Sequence, residues 1–228
     1  MGGKKYKGRR VAAFIFDLDG TLIDSGLDIA IAGNFARGHF GLPALPVETL
    51  VSYVGDGLAL FLARALGHEG HEMDSGMLAR ATTVFRDHYG RHCLDNTVAY
   101  PGVLPTLARY CQYPLMVATN KPRHFTEKIL DGLHLTDAFR KVVTADDVTH
   151  KKPDPEALVA CLAGLEIEPA AVAVVGDHPN DIESAHALGA TAVAVTYGMT
   201  PPGLLQAAGP DLVIDNFADL ADLFPSRG

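Results

Sequence analysis

The sequence predicts an α/β fold, a doubly wound parallel sheet into which one helical lobe is inserted. Three observations carry that reading. Short β-branched apolar runs alternate with helical stretches over most of the chain. One block, from about residue 27 to 94, carries helical periodicity alone. Acids, a hydroxyl residue and lysines stand where the apolar runs stop, the edge at which open α/β sheets bind ligands.

Residues 11–16 form the first apolar run, broken at once by Asp17 and Asp19. Further runs at 115–118, 142–144, 172–175, 192–195 and 212–214 read as buried strands. Helical stretches at 125–132, 156–164, 181–188, 204–208 and 217–223 separate and follow them. This alternation implies parallel strands with helices on both faces, a Rossmann-like core. In the exceptional block, segments 29–40, 47–53, 58–66 and 77–92 read as helices with no strand between them. A lobe of residues 25–96 is therefore predicted on a core made of 1–24 and 97–228, with hinges near 24–26 and 96–102.

A chain of 228 residues suits one core domain with a modest insertion, and 48% hydrophobic residues suffice to bury that core. The formal charge of −8, from 19 basic and 27 acidic residues, argues against nucleic acid or an anionic membrane as partner. An anionic substrate then needs a local positive device: a metal ion, a lysine or a helix N-terminus. Cys93, Cys111 and Cys161 fit neither a disulfide framework nor a zinc site, which suits the cytoplasm. No run is long enough to span a bilayer. The basic start, MGGKKYKGRR, lacks the apolar stretch of a secretory leader and reads as a disordered terminus.

Asp17 and Asp19, at i and i+2 on an extended strand, share one face. Gly20 lets the chain turn, and Thr21 offers a hydroxyl and an N–H to an anion. Two close carboxylates call for a cation, a shared proton or both, and hard oxygen ligands suit Mg²⁺. Such a pair can divide the work between a nucleophile and an acid/base. Taken alone it also fits a helix cap or a solvated turn. A calcium loop does not fit, because its glycine belongs at the sixth position and Gly20 is the fourth from Asp17.

Three later strand ends add to the pair. Thr119, after the run ending at Ala118, can hydrogen-bond an anion together with backbone N–H groups from Asn120 onward, or serve as an ordinary cap. Lys152 precedes Pro153 and Pro155, which stiffen its loop; it is a fixed ammonium or a solvated lysine. Asp177 stands at a strand tip with Asp181 four residues on, completing a metal site or capping the next helix. Acid–acid, hydroxyl, lysine and acid in this order form a joint pattern stronger than any member.

This set resembles the haloacid dehalogenase-like hydrolase superfamily, from Phe14 to about Leu220. Within it the nearer likeness is to the bacterial phosphoglycolate phosphatase family, through DLDGTLIDS at 17–25, TNKP at 119–122, DDVTHKKPDP at 146–155, GDHPNDI at 176–182 and TYG at 196–198. The glycine-flanked VGDG at 54–57 looks like that family's motif in the lobe, and lacks the context of a dinucleotide loop. The resemblance implies that the lobe is an α-helical cap, that Asp17 is the nucleophile and Asp19 the general acid/base. It implies that Thr119 and Lys152 bind phosphate, with Thr21 and Asn120 beside them. Mg²⁺ would be held by Asp17, the Asp19 carbonyl and Asp177, with Asp181 supporting. The implied reaction is hydrolysis of a small phosphorylated metabolite, 2-phosphoglycolate first. Another sugar phosphate, a β-phosphoglucomutase-like phosphomutase and a non-catalytic module are the alternatives. His178 departs from the family, where many relatives carry serine.

A substrate bearing a carboxylate would call for a cation in the lobe; Arg37, Arg64 and Arg80 are the candidates, each of which also reads as a solvated helix-surface residue. The histidines of HEGHE at 68–72 are three apart, not the four of a zinc helix, and read as a solvated loop. Cys93 reads as a packed residue.

Overall fold

The structure, a computed structural model, describes residues 11–67 and 75–224. The basic stretch 1–10 and the HEGHE motif lie outside them. Eight strands and ten α-helices follow one another in the described residues. β1 (Ala13–Phe16) leads to β2 (Ile23–Asp24), then to four helices: α1 (Gly26–His39), α2 (Val47–Val51), α3 (Leu58–Leu66) and α4 (Ser75–His92). The chain returns through β3 (Val98–Ala99) and α5 (Val103–Arg109). Then come β4 (Leu115–Ala118), α6 (Arg123–Gly132), β5 (Lys141–Val143), α7 (Glu156–Leu162), β6 (Val172–Gly176), α8 (Pro179–Leu188), β7 (Thr191–Val195), α9 (Pro202–Ala207), β8 (Leu212–Ile214) and α10 (Leu220–Leu223).

The six long strands form one parallel sheet in the order β5-β4-β1-β6-β7-β8. The first strand is central; the chain builds outward on one side through β4 and β5, then crosses to β6 and builds outward on the other. That reversal opens a crevice at the carboxyl ends of β1, β4 and β6. Strands buried on both faces explain the unbroken apolar runs: Phe14 and Phe16 face one core, Ala13 and Ile15 the other. On the first face the Phe14 ring lies 4.7 Å from that of Tyr110, and Phe16 lies 5.5 Å from Phe217.

Three elements were absent from the sequence reading. β2 and β3 pair antiparallel over two residues each, too few for an alternation to register. α5 has Pro105 in its first turn, where an unpaired N–H costs nothing but where sequence reading expects a break. Residues 217–223, expected as one helix, divide into a 3₁₀ turn (Phe217–Asp219) and α10, with Asn216 and Asp219 forming a capping box.

The four helices of the insertion pack on one another, α1 against α4, α2 and α3. Their two connections to the sheet are tied together by one buried acid. Asp28, on α1, accepts from the backbone N–H groups of Asn96 and Thr97 (3.0 and 2.9 Å) and from the Thr97 hydroxyl (2.8 Å).

Candidate active site

β1 ends at the crevice because its pairing carries on to that point: the Asp17 N–H donates to the Val175 carbonyl at 2.9 Å. The chain then folds back on itself, with Leu22 N–H donating to the Leu18 carbonyl at 2.9 Å and Leu18 buried beneath. Gly20 adopts φ +85°, and a Cβ there would lie 2.2 Å from an Asp177 carboxylate oxygen. Glycine is required on both counts. Asp17 and Asp19 line the same cavity but take different partners.

Two lysines supply those partners. The Lys152 ammonium donates to Asp17 Oδ1 (2.7 Å), Asp181 Oδ1 (2.6 Å) and the Ala118 carbonyl (2.7 Å). All three of its N–H donors are thereby used. Its loop is pinned by Asn120, whose side chain accepts from Lys152 N–H and donates to the Lys152 carbonyl, both at 3.0 Å. Asn120 also donates to the Gly55 carbonyl of the helical lobe at 2.9 Å. The Lys121 ammonium donates to both oxygens of Asp19 (2.8 and 3.0 Å) and to the Tyr89 hydroxyl (2.8 Å). The Ser25 hydroxyl, just before α1, donates to Asp19 Oδ1 at 2.5 Å. Thr119 is buried, and its hydroxyl accepts from Lys121 N–H at 3.2 Å.

β6 delivers the remaining acids. Asp177 accepts from the Thr21 hydroxyl (3.1 Å) and from Met199 N–H (2.8 Å). Asp181 accepts from His178 N–H at 3.0 Å, so α8 starts with a capping box. Carboxylate oxygens of Asp17, Asp177 and Asp181 lie within 4.8 Å of one another, all on buried residues. Desolvation pushes Asp17 up to about 7, against the pull of Lys152 and with the further push of Asp181. Desolvation also holds Asp177 well above the usual carboxylate range, reinforced by Asp17 and Asp181. Burial works to lower Lys152, but the charges of Asp17 and Asp181 outweigh it and hold the ammonium above its ordinary value. When ionised, these three acids outnumber Lys152, the ammonium that bonds two of them. The all-oxygen donor set fits a hard divalent cation and not a sulfur- or imidazole-seeking metal.

Residues 14–195 match the family model for haloacid dehalogenase-like hydrolases. The chain belongs to that family. This hydrolase is 40% identical over 218 residues to the phosphoglycolate phosphatase of Chromobacterium violaceum, an alignment covering 94% of this chain and 97% of that one. It is 34% identical over 218 residues to the phosphoglycolate phosphatase of Yersinia pestis, covering 95% and 93%. Among solved structures, a predicted phosphoglycolate phosphatase from Haemophilus somnus superposes with a TM-score of 0.87 at 29% identity, covering 93% of this chain and 97% of that one.

The hydrolase brings Asp17, Asp19, Thr119, Asn120, Lys152, Asp177 and Asp181 to one cavity. Thr21 is fully buried beneath it and spends its hydroxyl proton on Asp177. The lobe arginines do not line the cavity. Arg37 is fully buried, donating to the carbonyls of Pro43 (2.8 Å) and Ala65. Arg64 pairs with Asp56 at 2.7 Å, and Arg80 lies over the Phe40 ring at 5.8 Å. His178 lies against Gly55, and burial lowers its pKa. Lys121 and Tyr89 are two polar cavity residues that sequence reading passed over. Lys121 stood inside a quoted motif; Tyr89 had no signal beyond an aromatic at helical spacing. Among the described residues no helix is long and apolar enough to cross a membrane.

Proposed function

We propose that this hydrolase is an Mg²⁺-dependent phosphomonoesterase working through an aspartyl-phosphate on Asp17, with 2-phosphoglycolate as its first candidate substrate. The observation that supports it most is the Asp17 carboxylate: it sits at the crevice between β4 and β6, 2.7 Å from a buried ammonium, with Asp177 alongside. Asp17, Asp177 and the Asp19 carbonyl would hold Mg²⁺, which when bound neutralises charge on the acids and the phosphoryl group. Lys152 supplies a fixed positive charge beside the nucleophile. Asp17 attacks phosphorus; Asp19 gives its proton to the leaving oxygen and then takes one from the water that cleaves the acyl phosphate. The Thr119 hydroxyl and the Asn120 N–H would bind the phosphoryl oxygens. Substrate identity rests on the relatives' names. Three free cysteines accord with a cytoplasmic setting.

Phosphate release from a panel of monoesters in Mg²⁺ tests the reading. Asp17→Asn is expected to lower kcat by at least ~10³-fold, with 2-phosphoglycolate the best substrate of the wild type. Wild-type rates in the variant would remove Asp17 from the chemistry.

A further inference from the structure

Lys121 and Tyr89 have no part in the roles assigned above, yet both bear on Asp19. The ammonium reaches both Asp19 oxygens and the Tyr89 hydroxyl, so none of its three N–H donors is spare. Lys121 is 7% exposed and Tyr89 1%, and the ammonium also lies 4.8 Å from the centre of the Tyr89 ring. The two residues come from different elements. Lys121 precedes α6, whereas Tyr89 projects from α4 of the helical lobe and packs its ring on Phe85 and Phe125. A carboxylate turns easily about its last torsion; an ammonium bound to both oxygens fixes that turn.

We propose that Lys121 is a positioning residue for Asp19, and that Tyr89 makes this positioning depend on the docked lobe. The inference rests on Asp19 acting as acid/base. As the ester P–O bond breaks, its electron pair passes to the leaving oxygen, and the proton of the Asp19 carboxyl passes to that same oxygen. An alkoxide needs this proton as it leaves; nitrophenolate does not. In the step that forms the aspartyl-phosphate, misaligning Asp19 therefore slows alkyl esters and spares aryl esters, whereas general damage to the site slows both; the later hydrolysis is common to all esters.

The experiment compares kcat/KM, which reports phosphoryl transfer to Asp17 and not the later hydrolysis, for 2-phosphoglycolate or glycerol 1-phosphate with that for p-nitrophenyl phosphate, in Mg²⁺. The proteins are wild type, Asp19→Asn, Lys121→Met and Tyr89→Phe. Lys121→Met keeps the apolar stem and is expected to lose ~10²-fold on the alkyl ester but less than ~10-fold on the aryl ester. Tyr89→Phe removes a single hydroxyl and keeps the rings packed; a loss of about 10-fold, again on the alkyl ester alone, is expected. Equal losses on both esters, or none, in Lys121→Met overturn the positioning role. An unchanged alkyl-to-aryl ratio in Tyr89→Phe overturns the lobe's share, and decides the matter should Lys121→Met not fold. If Asp19→Asn fails to separate the two esters, the acid/base reading falls and takes this inference with it. If Asp19→Asn separates them and Lys121→Met does not, this inference alone fails.

Discussion

Asp17 and Asp177 both lose water on folding, and each is pushed toward its protonated form. An acid whose pKa rises on folding binds its proton more tightly in the folded state. Its stabilising contribution is complete below pH ~4, near the unfolded value, and is lost as pH rises through about 7. The metal-free protein should therefore lose thermal stability between pH ~4 and ~7, and Mg²⁺, which favours ionised acids, should restore it. Calorimetry in chelator and in Mg²⁺ is expected to show a larger rise in Tm at pH ~8 than at pH ~6; equal rises would contradict the assignment. Gly20 makes a second prediction at this scale. Its φ of +85° and the 2.2 Å approach of an added Cβ to Asp177 leave no room for a side chain. Gly20→Ala should cost about 1–3 kcal/mol in urea unfolding and at least ~10²-fold in kcat, because Asp177 must move. The types of residue at this site were legible in the sequence, since acids at strand ends are conspicuous among apolar runs. The division of partners was not: nothing in the order of residues says that Lys152 goes to Asp17 while Lys121 goes to Asp19.

Among the elements, the inner strands of the sheet were the most readable, because burial on both faces leaves them almost wholly apolar. β2 and β3 were invisible for the opposite reason. A two-residue strand carries no period, and the pair is held in place by contacts far away in sequence. Asp28 is the chief of these. It takes backbone and hydroxyl donors from the returning segment, and Thr97, buried like Asp28, has no water to turn to. Asp28→Ala is expected to destabilise the protein by roughly 2–4 kcal/mol, read as a fall in the urea midpoint. Asp28→Asn, which keeps an acceptor, should lose less. The arginines expected to face a substrate from the lobe were misplaced because helical spacing gives the face of a side chain but not what covers that face. Arg37 lies under α3, with its guanidinium on the Ala65 carbonyl.

For the molecule as a whole, the fold class followed from alternation alone, while the strand order did not. Placing the first strand in the centre requires that β6, not its neighbour in sequence, complete it. A chain ending at residue 171 would keep β1, β4 and β5 but leave β1 with one bare edge in place of its β6 ladder. Such a chain is expected to melt without a cooperative transition in circular dichroism, whereas the full chain melts in one step; a sharp transition in the shorter chain would show that half the sheet folds alone. The same topology has a consequence during synthesis. Thr21 and the Asp177 it orients are 156 residues apart, roughly 8–30 s of translation at ~5–20 residues per second. Through most of that interval the emerging chain carries Asp17 with neither Lys152 nor Asp177. The ribosome thus releases a catalyst that cannot act on cellular phosphates until nearly all of it has been made.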